Sequence, residues 1–284
     1  GTIEKNQVAL NYYDHGIRTT HSRNIVIQNN YVVNHSFDSG IIAFNTSNVT
    51  ISGNAVLQNN EGIHLVLSPN SSILNNTINQ SNEWGGRANQ EGIYLDQSSD
   101  TLIENNTIDL ALRAGVFVRF SNRTVVRSLT VRNNSYGVSV QDSVNVSIVN
   151  ITSRGNGYGF YLNGAKAVVN NSMTEHNLYY GVVLSSSEAV LDHITINDSY
   201  YSGVYWYHSN NTVIANSIVD TSFANGLYFQ GRIRNTTLSN LTILNTSTSF
   251  RDILFDTEEV NNTLLYNTRV GSYNFSVNGG VLRI

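Results

Sequence analysis

The feature that most constrains this chain is a glycine that keeps returning, each time followed by an alternating apolar stretch. The anchors are Gly16, Gly40, Gly62, Gly92, Gly115, Gly137, Gly159, Gly181, Gly203 and Gly226, and Asp252 opens an eleventh, variant copy. Five of the ten intervals are 22 residues, and only the one from Gly62 to Gly92, at 30, departs widely. The first and third residues after each anchor are apolar except at Thr19. Such alternation is the mark of strands with one buried face. A second pattern, Ile-x-x-Asn-x-Ile/Val, follows about nine residues later, as in Ile27 to Val32, Ile51 to Val56, Ile73 to Ile78 and Ile103 to Ile108. Two or three short strands per repeat, with no helical period and a single proline, Pro69, describe one coil of a parallel β-helix. The expectation is an all-β solenoid of about 11–12 coils of about 22 residues. It forms one domain over residues 1–284, with a loop insertion near 79–90.

Asparagine makes up 42 of the 284 residues, and the repeat accounts for part of that excess. Asn6, Asn30, Asn54, Asn76 and Asn106 share one register, and Asn171 and Asn216 are expected to return to it. Leu129, Ile194 and Leu241 take that place in other coils. An amide or an aliphatic group at one position implies an inward site, where stacked amides bond along the axis, so this ladder reads as structural.

The remaining composition excludes several functions. The chain has no cysteine, hence no disulfide, thiolate metal site or cysteine nucleophile. A net charge of −4, with Lys5 and Lys166 the only lysines, argues against a nucleic-acid partner. No apolar run approaches the length of a membrane span. No cofactor and no metal is expected, since the seven histidines lack tight ligand spacing.

The glycine and Ile-x-x-Asn repeats, over essentially the whole chain, resemble the right-handed parallel β-helix repeat proteins. That superfamily includes NosD-like exported proteins, polysaccharide lyases, epimerases and hydrolases, and many archaeal and bacterial surface proteins. The resemblance implies the right-handed fold and leaves the activity open. Motifs of the individual enzyme families are missing. There is no grouped aspartate of the pectate-lyase kind and no Asp-Pro-His-Asp of the alginate-epimerase kind, and aspartate pairs of the polygalacturonase kind are also missing.

Nineteen Asn-x-Ser/Thr sequons stand at Asn34, Asn45, Asn48, Asn70, Asn75, Asn79, Asn105, Asn122, Asn133, Asn145, Asn150, Asn170, Asn197, Asn210, Asn235, Asn240, Asn245, Asn261 and Asn274. Turn chemistry favours adjacent Asn, Ser and Thr and supplies part of this number. Partial use of the sequons implies a place outside the cell, in a eukaryote or archaeon that N-glycosylates. Residue 3 already matches the second strand of a coil, and the stretch from Gly280 reads as a strand start that stops. These ends lack capping segments, which points to a piece of a larger chain or to head-to-tail association through open ends.

The second residues after the anchors, among them Arg18, His64, Tyr94, Phe117, Tyr161, Tyr205 and Tyr228, should point outward. An exposed aromatic row suits either stacking on sugar rings or stacking within the sheet. Tyr94, Phe117, Tyr161, Tyr205 and Tyr228, with Trp84 on the inserted loop, are the candidate carbohydrate contacts. Polar groups gather on the N-terminal coils: Glu61 and Glu91 share a register, and His64, Asp96, Arg113 and Arg119 lie nearby. Paired carboxylates one strand apart repel, which raises one pKa and suits proton transfer, so these six are the catalytic candidates. Asp96 and Arg119, also in register, are expected to pair. The leading expectation is an extracellular or cell-surface glycoprotein domain with a structural or glycan-interacting role. The alternatives are a polysaccharide lyase, epimerase or glycoside hydrolase, and a filament subunit.

Overall fold

The computed structural model describes residues 1–9, 13–35, 37–79, 91–221, 223, 225–244, 250–271 and 276–278. The described residues form a parallel β-solenoid of about eleven coils with no helix among them. Contacts gather into two compact units, residues 1–147 and 148–284.

In the first unit each coil carries three short strands. The anchor strands are Ile17–Thr20, Ser39–Phe44, Glu61–Val66, Ile93–Asp96, Ala114–Arg119 and Tyr136–Gln141, each paired in parallel with its successor. The second strands, such as Ser72–Leu74, and the third, such as Thr77–Asn79, stack in the same way. Pairing like positions puts like side chains on top of one another. Ile41, Ile63, Ile93, Val116 and Val138 form one fully buried column, and Ile27, Ile51, Ile73 and Ile103 another. The anchor is glycine because neighbouring backbone comes too close for anything larger. A Cβ on Gly115 would collide with Val131 and lie 2.9 Å from the carbonyl oxygen of Gly137.

The asparagine ladder is present and fully satisfied. The backbone N–H and the side-chain amide of Asn30 both donate to Asn54 Oδ1, at 2.9 and 3.0 Å. Asn54 donates likewise to Asn76, and Asn76 to Asn106. Each second amide proton goes to strand carbonyls, as Asn54 Nδ2 to Ile27 and Ser52. Every amide from Asn30 to Asn106 in this ladder is therefore paired, as burial demands.

The second unit stacks anchor strands Tyr158–Asn163, Tyr180–Ser185 and Ser202–Tyr207. In its last coils the anchor strand runs on into the next, giving the long strands Asn225–Ser239 and Ile253–Tyr266. Its interior includes an aromatic column, Trp206 on Phe229 on Phe255, with centroids 4.8 and 4.4 Å apart. The ladder register here differs from expectation. Ser172 and Ser217, not Asn171 and Asn216, hold the inward position, accepting from the N–H groups of Ile151 and Ile194. Asn171 and Asn216 stand one residue earlier, at an exposed turn with φ of 47° and 49°. Asparagine tolerates that left-handed conformation better than other residues with a Cβ.

Replacing Asn54 by Ala would strip the acceptor from two donors of Asn30. The expected cost is about 1–3 kcal/mol for each group left unsatisfied. Hydrogen exchange should show the Asn30 amide losing protection well before amides two coils away.

Candidate functional site

Three outward rows cross the anchor strands of the first unit: the residue before the anchor, the second after it and the fourth after it. Glu61 and Glu91 occupy the first row in adjacent coils, because Ile63 pairs with Ile93. Glu61 Oε2 accepts a hydrogen bond from Ser39 Oγ at 2.7 Å and lies 2.7 Å from His64 Nδ1. Burial works to raise the Glu61 pKa. The His64 hydrogen bond and charge, the Ser39 hydroxyl and His15 together outweigh it, and the carboxyl sits below its ordinary value.

Glu91 has the opposite environment. Its side chain is 1% exposed, and Arg113 Nη1 approaches Oε1 at 3.1 Å from the solvent side. Burial pushes its pKa up to about 7, with Arg113 opposing and the Glu61 charge adding to the rise. The two carboxylates thus split in ionisation, as paired carboxylates do. His15 lies 3.8 Å from Asp38, and burial lowers its pKa against the pull of that carboxylate.

The aromatic row beside them is closed. His64 stacks on Tyr94 at 4.4 Å and Tyr94 on Phe117 at 5.0 Å, and the Arg113 guanidinium covers Phe117 at 5.2 Å. Phe117 is only 4% exposed, so it offers no face to a sugar. Ile42 and Ser139 in the same row are buried too. The outward row of this unit stacks within the sheet, because neighbouring rings one strand apart cover one another. Asp96 and Arg119 are in register but do not form the expected ion pair. Arg119 instead donates to the Tyr94 hydroxyl and lies over the Phe120 ring at 4.7 Å, with Asp96 acting as a nearby charge. Trp84 and the inserted loop fall in 80–90, outside the described residues.

The second unit fills its rows with tyrosine. Tyr158 and Tyr180 precede their anchors, Tyr161, Tyr205 and Tyr228 follow at the second position, and Tyr207 at the fourth. Tyr180 stacks on Tyr158 at 5.9 Å and on Tyr205 at 5.1 Å, and Tyr205 meets Tyr228 at 5.5 Å. Tyr179 and Tyr201 extend the cluster at the preceding turn, stacked at 5.7 Å and 40% and 49% exposed. Tyr158, Tyr161, Tyr180, Val183, Ser185, Tyr205 and Tyr207 line an open concavity of about 190 Å³. Tyr161, Tyr205 and Tyr228 were legible as candidates. Tyr158, Tyr180 and Tyr207 belong to the other two outward rows, which share the surface and carry the same signal of aromatics at the repeat spacing.

Of the seventeen described sequon asparagines none is buried. Asn75, Asn105, Asn150 and Asn240 share one left-handed turn, with φ between 51° and 54°. There an inward residue follows, and then a strand-opening Thr. Coil geometry therefore writes Asn-x-Thr by itself, which supplies a structural source for the sequon excess.

Residues 1–150 match the family described as right handed beta helix region, and residues 86–252 match that of the periplasmic copper-binding protein NosD. The chain belongs to the right-handed β-helix family. No curated protein sequence matches it. Among solved structures, this β-helix is similar to the Dettilon tailspike protein, with a TM-score of 0.75 at 9% identity over 95% of this chain and 61% of that one. A GH87 alpha-1,3-glucanase catalytic domain gives 0.60 at 16% identity, over 90% and 64%. PfbA, a surface adhesin of Streptococcus pneumoniae, gives 0.64 at 9% identity, over 96% and 84%. The chain thus spans less than two thirds of the tailspike and glucanase chains, and these likenesses establish the fold alone. The sequence has no cysteine and one methionine, Met173, and no group of three or more potential ligands occurs among the described residues. No helix among the described residues is long and apolar enough to cross a membrane.

The Glu91 environment predicts a pH signature. Its ordinary value is 4.5 and its folded value about 7, so the folded chain binds more protons between those limits. Its ionisation therefore costs stability as pH rises through that window. Glu91→Gln removes this loss. Relative to wild type, its stability should climb by up to about 3 kcal/mol between pH 4.5 and 7.5, at 1.36 kcal/mol per pKa unit. Urea unfolding across that range measures the difference.

Proposed function

We propose that this protein acts outside the cytoplasm as a glycan-binding β-helix, holding polysaccharide on the tyrosine surface of its second unit. The observation that carries this reading is the cluster of stacked, half-exposed tyrosines around one concavity. Tyrosine offers an apolar ring face to sugar C–H groups and a hydroxyl to sugar hydroxyls. An exposed aromatic patch without such a partner is a liability in water. The similar structures are consistent with this role: one is a tailspike, one a surface adhesin, and the glucanase was solved in complex with tetrasaccharides. The same reading leaves the exposed sequon asparagines open to glycan transfer, and peptide masses of native material report their occupancy.

A second reading, polysaccharide modification in the first unit, is favoured by the split ionisation of Glu61 and Glu91. Against it stands the burial of Glu91, which keeps that carboxyl from touching a substrate. Turnover by wild type that is lost in Glu61→Gln would establish it.

Isothermal titration against a panel of neutral and acidic polysaccharides tests the leading reading. Tyr180→Ala and Tyr207→Ala should each weaken binding about two- to twelvefold, the equivalent of one aromatic contact of about 0.5–1.5 kcal/mol. A wild-type protein that binds no member of the panel would overturn it.

A further inference from the structure

Ten of the described sequon asparagines, six and four in the two groups below, share one local geometry. Each is exposed and left-handed, with φ between 47° and 58°. Each is followed by a residue buried in the coil and then by a Ser or Thr. Sequence and backbone therefore do not tell these ten apart.

The side-chain nitrogen does. Four of them donate from Nδ2 to the coil before: Asn48 to Asn24 Oδ1 at 2.6 Å, Asn133 to Asp109 Oδ1 at 2.8 Å, Asn235 to Asn211 Oδ1 at 2.9 Å and Asn240 to Asn216 Oδ1 at 2.9 Å. Asn235 and Asn240 also accept from Asn262 and Asn267, so they are middle rungs of exposed amide ladders. The other six, Asn45, Asn70, Asn75, Asn105, Asn145 and Asn150, make no side-chain hydrogen bond among the described residues. Before Asn75, for instance, the place in the row belongs to Gly53, which has no side chain to offer.

An N-linked glycan is carried on that same nitrogen. In the transfer a bond forms between Nδ2 and the anomeric carbon of a sugar, the bond from that carbon to the phosphate of a lipid-linked donor breaks, and Nδ2 gives up one proton to a base of the transferase. The nitrogen lone pair is delocalised into the planar amide and must be turned out of it to attack. An amide bonded to the neighbouring coil is held planar, and turning it breaks that bond. The loss is about fivefold for one neutral hydrogen bond and larger for a bond to a carboxylate, as at Asn133. The product is crowded as well: the acceptor oxygen lies 2.6–2.9 Å from Nδ2, inside the roughly 3.5–4.0 Å that a sugar carbon in contact would need.

Resting on the reading above that leaves the sequons open to glycan transfer, we infer that the folded protein takes N-linked glycan at Asn45, Asn70, Asn75, Asn105, Asn145 and Asn150 and refuses it at Asn48, Asn133, Asn235 and Asn240. The co-substrate is a lipid-phosphate-linked oligosaccharide, and the partner is the transferase that uses it. Asn75 and Asn105 stand one strand spacing apart, about 4.8 Å, so a glycan on one crowds the other and the pair counts as one acceptor.

Folded protein incubated with an oligosaccharyltransferase and its lipid-linked oligosaccharide, with peptide mass spectrometry over time, reads the rate at each site. Each rate is divided by that of a short synthetic peptide of the same sequence, which has no neighbouring coil. The open sites should then exceed the paired ones at least fivefold. Asn24→Gly and Asn216→Gly remove the acceptors of Asn48 and Asn240, and glycine suits the left-handed φ of 56° and 49° at these positions. Each should speed its own released site at least fivefold with the melting temperature kept, and Asn235, in the same coil as Asn240, should stay slow. Equal rates at all ten sites, no gain at either released site, or a rise at Asn235 together with Asn240 overturns the selection and leaves the use of the sequons intact. Folded protein that takes no glycan at any sequon, while the peptides do, overturns both.

Discussion

Each coil hands its backbone hydrogen-bonding groups to the next, and inward polar side chains fix the register in which it does so. In the first unit the Asn30, Asn54, Asn76 and Asn106 amides do this at one turn. A serine column does it at another, with the N–H of Ser68 donating to Ser98, Ser98 to Ser121 and Ser121 to Ser143, at 2.8–3.0 Å. In the second unit the Ser187 N–H donates to Ser209 in the same manner. A one-residue slip would turn every strand inside out and strand these groups without partners. The glycine anchors add a steric condition, since a Cβ there meets the carbonyl of the next coil.

Fixed register is what gives the surface its chemistry. Because like positions stack, the outward side of the anchor strands is a set of rows in which every residue has two neighbours of the same rank. Rows of large rings close on themselves, as His64, Tyr94 and Phe117 do. Rows of carboxylates and bases pair, as Glu61 with His64 and Glu91 with Arg113. A row that alternates large and small side chains draws in a ring from the row beside it, as Tyr180 does in stacking on Tyr205 next to the buried Val183. The same scaffold thus yields a tightly paired surface in one unit and an open aromatic one in the other, by side-chain size alone.

Much of this was legible in the residues. The strand positions, the parallel pairing and the shared register of Glu61 and Glu91 follow from a repeat near 22 and from alternation, which depend on nothing beyond spacing. What was not legible depended on neighbours. Phe117 looked exposed because alternation points it outward, yet the rings one coil away cover it. Arg119 looked like a partner for Asp96 by register, but Tyr94 presents a better-placed oxygen. Asn171 and Asn216 were displaced by one residue because asparagine serves two adjacent positions here, the left-handed turn and the inward ladder.

The proposed function requires the tyrosine surface of the second unit to hold a glycan. Ring-labelled tyrosine NMR during titration with a neutral branched oligosaccharide tests it most directly. Chemical-shift changes are expected at Tyr158, Tyr161, Tyr180, Tyr205 and Tyr207, with the Tyr94 signal unmoved. Changes centred on Tyr94, with the second unit silent, would contradict it.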